Sequence, residues 1–135
     1  MRDPLEVVRR YLKACEERHL EEAQRYLAPG AVLVFPGGRY TSVAEMAAGA
    51  ARRYRWAKKA DDAWDVAVRP DGTAVVVTTG TLYGENLHGV PFEGVRYIDR
   101  FVVRGERILR QEVWNDLDAS GVLHRRASEG RTGED

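Results

Sequence analysis

Apolar and polar residues repeat with two different periods along the chain, and the change of period separates a helical first half from an extended second half. Near the N-terminus apolar residues recur every three or four positions, which is the spacing of one face of a helix. These positions are Leu5, Val8, Leu12 and Cys15. Asp3 precedes them as a helix cap, Pro4 takes the first helical position, and Glu6 completes a capping box. The pattern predicts a first helix that begins at Pro4.

Two further segments of the first half have helical patterns. Residues 20–30 predict a shorter helix that a Pro-Gly pair ends, and residues 31–35 predict a short apolar strand. Residues 42–60 begin with Ser42 as a cap and are rich in alanine, which is a strong helix former. The sequence therefore predicts a third helix across this whole segment.

The second half alternates with period two, as half-buried strands do. Strands are predicted at residues 63–68, 74–84, 92–104 and 107–117. Strands that are joined by short turns pair antiparallel, and Gly80 inside the second of them predicts a bend. Three helices followed by about four strands indicate an α+β fold, in which a curved antiparallel sheet has a concave face that can hold a ligand.

Composition and charge narrow the class of protein. The chain has 135 residues, which suits a single domain, predicted at residues 1–118, with residues 119–135 as a polar, flexible tail. Lys plus Arg and Asp plus Glu are equal at 21 each, so the charge does not favour nucleic acid or an anionic membrane as a partner. No apolar stretch has the length of a signal peptide or a membrane span, and the single cysteine cannot form an intrachain disulfide. We therefore expect a cytoplasmic protein.

The predicted strand at 92–104 carries an aspartate where an apolar residue is expected. Alternation places Tyr97, Asp99 and Phe101 on one face and Ile98 on the other. We predict that the first face is concave, with Tyr97 and Phe101 as ligand contacts and with apolar surroundings that raise the pKa of the Asp99 carboxyl. The alternative is structural: Asp99 pairs with a buried arginine or with backbone amides and only stabilises the fold.

Several motifs resemble the nuclear transport factor 2-like superfamily, which includes SnoaL-like polyketide cyclases and ketosteroid isomerase. The motifs are YLAPG at 26–30, GTLYG at 80–84, GVRYIDRFVV at 94–103 and GERILRQEVWNDL at 105–117, within a resemblance that covers about residues 4–118. It implies a cone-shaped curved antiparallel sheet wrapped around helices, a cystatin-like roll with an internal pocket. It also implies a homodimer formed through the outer sheet face. The spacing of Asp99 and Phe101 looks like that of SnoaL-like cyclases, which use a pocket aspartate as a base.

Other residues are candidates for the wall of this pocket. Trp114 and Asn115 end the last strand, and we leave open which of them points inward, because one bulge exchanges the two faces. Tyr40 follows a turn and Tyr83 follows the bend, and the hydroxyl of either can donate to a ligand oxygen. The alternative for each of these residues is a place in the core or at a strand end.

The segment 52–59 combines several cations with Tyr54 and Trp56. A phosphate or nucleic-acid site is one interpretation, but cations in the last turns of a helix also suit the negative end of its dipole. We favour the second interpretation, in which the two aromatic rings lie on different helix faces and Tyr54 or Arg53 still reaches a ligand.

The histidines are scattered at positions 19, 88 and 124, and their spacing matches no metal site. His88, on the predicted loop 85–91, is a candidate proton relay for Asp99, and a solvated loop histidine is the alternative. The sequence has no glycine-rich phosphate loop after a strand, so no cofactor is expected.

Three functions remain open. The first is a pocket protein, without a cofactor, that binds a small, mostly apolar molecule bearing a carbonyl or hydroxyl group. The second is a cofactor-independent isomerase, cyclase or dehydratase in which Asp99 removes a proton next to a carbonyl. A salt bridge that seals the cavity at Asp99 would exclude this second function. The third, as in some transport-factor relatives, is an interaction module whose cavity is filled by its own side chains.

Overall fold

A computed structural model describes residues 3–127, which form helices packed on one curved sheet. The helices are α1 (Pro4–Glu16), α2 (Leu20–Arg25), α3 (Val43–Ala51), α4 (Leu117–Ser120) and a 3-10 turn (Val122–His124). The strands are β1 (Leu27–Phe35), β2 (Gly38–Tyr40), β3 (Tyr54–Val68), β4 (Thr73–Asn86), β5 (Pro91–Arg104) and β6 (Arg107–Asn115). Within these residues, none of the helices is long and apolar enough to span a membrane.

The sheet has six strands in the order β2-β1-β6-β5-β4-β3. The α+β class and the curved sheet are confirmed, but the sheet is mixed rather than purely antiparallel. Strand β1 runs parallel to β6, whereas the other neighbouring pairs are antiparallel. The parallel pair is possible because most of the chain connects β1 to β6, so no short turn dictates their relative direction.

Helix α1 begins as predicted and packs against the concave face of the sheet. The Asp3 side chain accepts a hydrogen bond from the backbone N–H of Leu5 at 3.0 Å, and Pro4 opens the helix. The buried face is rotated slightly from the predicted one. Its residues are Val7, Val8, Tyr11 and Ala14. They form one apolar core with residues of β1, β4, β5 and β6, so α1 covers the centre of the sheet.

The second and third helices are shorter than predicted. Helix α2 ends at Arg25, and the Pro-Gly pair lies inside β1, where Gly30 has a φ of +79°. Helix α3 ends at Ala51, and the chain is extended from Tyr54 onward. The prediction of a helix across 42–60 is therefore wrong in its second half. Helix propensity is a weak preference, and backbone pairing of β3 with β4 along their length outweighs it.

Strand β3 contains two irregularities that decide where its side chains point. The pairing with β4 shifts between Tyr54 and Trp56 and again between Ala60 and Ala63, where Asp61 has a φ of 55°. The first shift leaves Tyr54 half-buried and Trp56 exposed, so the two rings do lie on different faces, although not for the helical reason predicted. Gly80 lies against the second shift, where a Cβ would meet the carbonyl oxygen of Ala60.

The C-terminal segment packs on the domain well beyond the predicted boundary at residue 118. Leu117, Val122 and Leu123 are buried in a second apolar cluster with residues of β4 and β5. The fully buried Asn86 fastens this segment, because its side-chain amide donates to the carbonyl oxygens of Val122 and Arg125 at 2.9 and 2.8 Å. The predicted tail begins too early, and residues 128–135 of it lie outside the described residues.

Candidate functional site

The side chain of Asp99 lies on the concave face of β5, as the alternation predicted. Tyr97, Asp99, Phe101 and Val103 are buried, whereas Ile98 is 45% exposed on the other face. Asp99 pairs across the sheet with Thr78 of β4 and Val113 of β6, so it lies on a central strand. A carboxylate in this place has little access to water and needs a partner.

The partner is Lys59 of β3, whose Nζ lies 3.3 Å from Oδ2 of Asp99. The lysine reaches the carboxylate across the ring of Tyr97, with Nζ 5.0 Å from the ring centroid. The lysine side chain is 31% exposed and the aspartate side chain 3% exposed. Part of the lysine side chain therefore meets solvent, whereas the carboxylate has almost no contact with it. The structural alternative had predicted an arginine or backbone amides as the partner, and the structure supplies a lysine instead.

Burial and pairing act in opposite directions on these two groups. Burial raises the pKa of the Asp99 carboxyl, and the charge and hydrogen bond of Lys59 offset only part of this rise. Burial lowers the pKa of Lys59, but Asp99 and the nearby Tyr97 and Tyr54 more than offset it, so the net shift is upward. Lys59 is therefore held as a cation and a hydrogen-bond donor, not as a neutral nucleophilic amine.

Buried hydroxyl groups surround the ion pair on its inner side. The Tyr97 hydroxyl lies 3.4 Å from Oγ1 of Thr78. On α1, the Tyr11 hydroxyl donates to Oε1 of Gln111 at 2.8 Å. The Tyr11 ring packs edge-on against Phe101 with 6.1 Å between centroids. Phe101 is thus a core residue. It packs against Tyr11, whose hydrogen bond to Gln111 links α1 to the concave face of the sheet.

Two half-buried residues, Tyr54 and Cys15, lie close to the ion pair. Tyr54, at the start of β3, packs against the second apolar cluster, and burial raises the pKa of its hydroxyl although Lys59 opposes this rise. Burial also raises the pKa of the Cys15 thiol to about 11, so this cysteine is protonated at neutral pH and unreactive. The charges of Lys59 and Asp99 act on both groups, so Tyr54 and Cys15 lie close to the ion pair.

Two predicted pocket residues lie on the outer face of the sheet instead. The Trp114 side chain is 51% exposed there, which settles the choice between it and Asn115. Tyr83 is also exposed and packs edge-on against Trp56 with 5.8 Å between centroids. Both residues have the outward register of their strands, so neither can contact a molecule at Asp99.

Two other predicted residues lie at the margins of the concave face. Asn115 has the inward register and pairs with Tyr97, but its side-chain oxygen accepts from the backbone N–H of Leu117 at 3.1 Å. Tyr40 packs against Phe35 at the edge of the sheet with 5.9 Å between centroids, so it is a wall residue of the core.

His88 is exposed in the turn that follows β4, where its backbone N–H donates to Oδ1 of Asn86 at 2.8 Å. This turn begins eight residues along β4 from Thr78, the partner of Asp99, or up to about 26 Å at the usual rise of a strand. The structure therefore does not bring His88 to Asp99 for proton transfer.

A groove of about 870 Å³ lies on the outer sheet face, away from the ion pair. Its lining includes Ile98, Trp114, Thr79 and Thr81, which all point outward. The ion pair of Arg96 and Asp116 lies along it at 2.8 Å. The groove is open and mostly apolar, which is typical of a surface that another molecule covers.

The most important residue that the sequence did not identify is Lys59. The cation-rich stretch 52–59 was interpreted as the end of a helix, and on a helix Lys59 has no reason to meet Asp99. Tyr11 was also missed, although Val8, Tyr11 and Cys15 have the spacing of one helix face. No local pattern predicted that Thr78 would lie against the Tyr97 hydroxyl or that Gln111 would accept from Tyr11. These contacts arise only when segments that are distant along the chain pack together.

Comparison with known proteins assigns the chain to a family. The profile of the SnoaL-like domain matches residues 8–111, which is most of the chain. The chain belongs to the SnoaL-like domain family. This membership confirms the resemblance to the nuclear transport factor 2-like superfamily that the motifs of β5 and β6 predicted. No curated protein matches the sequence of this SnoaL-like domain.

Solved structures share the fold of this SnoaL-like domain at low sequence identity. TerC, co-crystallised with polyporic acid, is 18% identical with a TM-score of 0.73, over 90% of this chain and 98% of that one. An NTF2-like protein of unknown function from Burkholderia pseudomallei is 18% identical with a TM-score of 0.69, over 91% and 98%. A polyketide cyclase candidate from Xanthomonas campestris pv. campestris is 18% identical with a TM-score of 0.65, over 88% and 95%.

Proposed function

We propose that this SnoaL-like domain binds a small, mostly apolar molecule with a carbonyl or hydroxyl oxygen on the concave side of its sheet. The observation that carries the proposal is the Lys59–Asp99 pair, in which the lysine side chain is 31% exposed while the carboxylate is buried. Apolar and aromatic surfaces with a few convergent polar groups are typical of small-molecule sites. The low-identity similarity to TerC, co-crystallised with polyporic acid, suits a ligand of this kind.

The ligand oxygen would meet the ammonium first. An ammonium group has three donors, and one of them is directed at Asp99. The remaining donors can hold a carbonyl or hydroxyl oxygen while the apolar part of the ligand lies against Tyr54 and Tyr97. In this arrangement Asp99 keeps the lysine charged and oriented.

Catalysis by Asp99 is the second candidate function, and the upward pKa shift of its carboxyl is the observation that favours it. The carboxylate would take a proton from the carbon next to a ligand carbonyl, and Lys59 would donate a hydrogen bond to the enolate oxygen that forms. Return of the proton to another carbon would complete an isomerisation. The salt bridge counts against this function, because a base whose oxygen is paired with an ammonium is a weaker base.

Ligand NMR with 1-tetralone in deuterium oxide distinguishes the two candidates in one sample. This ketone is mostly apolar and has exchangeable protons next to its carbonyl. We expect intermolecular NOEs from the ketone to the ring protons of Tyr97 and Tyr54, and none to the Trp114 indole on the outer face. NOEs only to Trp114 would disprove the proposed site.

The same spectra report on chemistry. If Asp99 acts as a base, the protons next to the carbonyl exchange for deuterium faster with wild type than with Asp99→Asn, while the NOEs to Tyr97 persist in both. If the protein is only a binder, the exchange rate equals that of the free ketone in both proteins. A binding-deficient but folded Asp99→Asn variant would assign the carboxylate to positioning of Lys59.

We also infer that the outer sheet face forms a homodimer. Ile98 and Trp114 are exposed beside the groove of about 870 Å³. The charged residues of this face are largely paired with each other, as in the 2.8 Å contacts of Arg96 with Asp116 and Arg100 with Glu112. A face that is close to neutral does not repel a copy of itself, so a second copy of this chain is the occupant that we propose.

A further inference from the structure

The Lys59 side chain is 31% exposed, whereas the side chain of its counter-ion, Asp99, is 3% exposed. Its Nζ lies 3.3 Å from Asp99 and 5.0 Å from the centre of the Tyr97 ring, and both of these contacts are on its inner side. The neighbouring Lys58 points to the other face, where it lies over Trp56. The register of β3 thus directs one lysine of the pair inward and the other outward.

Charges of both signs lie around Lys59 and Tyr54. Arg53 forms a 2.8 Å pair with Asp118, just as Lys59 pairs with Asp99. Arg18, exposed after the end of α1, adds a further cation that acts on Tyr54 together with Arg53 and Lys59. Among the ion pairs of residues 3–127, none contains Arg18. The charge of Asp62, which acts on Tyr97, balances that of Arg18, so the selectivity proposed below depends on the Lys59 ammonium itself and not on an excess of positive charge.

We propose that Lys59 selects ligands that carry an anionic oxygen, namely enolates, phenolates or carboxylates of otherwise apolar molecules. This inference rests on the proposed function and specifies the chemical class of its ligand. A charge-assisted hydrogen bond from the ammonium is about twice as strong as a bond between neutral groups. Asp99 is buried and neutralises part of the Lys59 charge, so the preference for an anion depends on a direct hydrogen bond from Nζ. The ionised ligand oxygen would accept a hydrogen bond from the Lys59 ammonium and would be its second anionic partner beside Asp99.

A pair of matched ligands tests this selectivity on the wild-type protein. 4-Hydroxycoumarin is an acidic enol that is ionised at neutral pH, and 4-methoxycoumarin has the same ring system without the ionisable proton. We expect calorimetry to show that the hydroxy compound binds about tenfold more tightly or better. Equal or weaker binding of the hydroxy compound overturns the inference but leaves the proposed function standing. If neither compound binds, both fail.

Variants of the adjacent Lys58 and Lys59 identify which lysine causes the preference for the hydroxy compound. Lys59→Met should reduce the preference for the hydroxy compound to about one, with the methoxy compound still bound, whereas Lys58→Met should keep the preference. Lys59→Arg retains the charge and should keep most of it. The double variant Lys59→Met with Asp99→Asn avoids an unpaired buried carboxylate and should also lack the preference. A preference that survives both Lys59→Met variants would overturn the assignment to Lys59.

Discussion

Asp99 and Lys59 hold their charges in a place where burial disfavours both. An isolated buried carboxylate would take up a proton, and an isolated buried lysine would lose one. Their contact at 3.3 Å offsets these tendencies, and the partial exposure of the lysine reduces the cost further. Removing one partner is expected to cost more than the pair contributes, because the other charge remains in the protein interior.

The Asp99→Asn substitution changes the pH dependence of stability in a direction that reports which effect dominates at this residue. Burial raises the pKa of the Asp99 carboxyl above its ordinary value of 3.8, so the folded protein keeps a proton that the unfolded chain releases. The stabilising contribution is therefore full below the unfolded pKa and is lost as the pH rises through the folded pKa. In urea unfolding series, we expect the unfolding free energy of wild type, relative to Asp99→Asn, to fall over this interval. A rise would show that Lys59 outweighs burial.

Asp71 is a control for which the expected change of stability with pH has the opposite sign to that of Asp99. Its carboxylate accepts from the Thr73 hydroxyl at 2.6 Å and from the Thr73 backbone N–H at 2.9 Å, and these bonds lower its pKa. Its contribution is present above the unfolded pKa and is lost as the pH falls through the folded pKa. The stability of wild type relative to Asp71→Asn should therefore rise with pH in the acid range.

At the scale of elements, one asparagine joins the turn after β4 to the C-terminal segment. The Asn86 side-chain oxygen accepts from the backbone N–H groups of His88 and Val90 at 2.8 and 3.0 Å. Its amide nitrogen donates to Val122 and Arg125. The amide of this side chain thus uses its full capacity of two donated and two accepted hydrogen bonds.

Asn86→Ala is expected to release the C-terminal segment and to destabilise the domain by about 3 kcal/mol, since buried backbone groups lose their partners. Hydrogen exchange should show faster exchange at the backbone amides of residues 117–124 than in wild type. His88→Ala is the control, because the His88 side chain is exposed and only its backbone bonds to Asn86. Unchanged protection of residues 117–124 in Asn86→Ala would mean that the apolar contacts of Leu117, Val122 and Leu123 hold the segment without the asparagine.

At the scale of the whole molecule, the outer face presents apolar surface that a monomer leaves in contact with water. Trp114→Arg places a charge at the centre of the proposed dimer interface and should convert a dimer to a monomer in light scattering at micromolar concentration. Val68→Arg is the control, because Val68 is exposed at the end of β3 and away from the groove. A wild-type protein that is already monomeric would contradict the dimer, and dissociation by both variants would place the interface elsewhere.

Much of the fold can be predicted from local patterns of residues in the sequence. The Asp3 cap, the alternation of β5 and the short turn between β5 and β6 were predicted because each depends on neighbouring residues alone. The length of β3 was not predicted, since its alanines favour a helix and two shifts in its pairing with β4 interrupt its alternation. The site was predicted in part: Asp99 and Tyr97 face inward, whereas Trp114 and Tyr83 face outward.

Helix caps and period-two alternation are local properties, so the amino-acid sequence was enough to predict the helix that covers the sheet and the face on which Asp99 lies. The superfamily was predicted from the resemblance of four motifs. Only the tertiary structure decided that Lys59 is the partner of Asp99. That contact depends on the pairing of β3 with β4, on two irregularities in β3 and on the curvature that brings β3 over β5. Lys59 and Asp99 lie on strands that are not neighbours in the sheet, so their contact is a property of the folded chain that no short stretch of sequence could reveal.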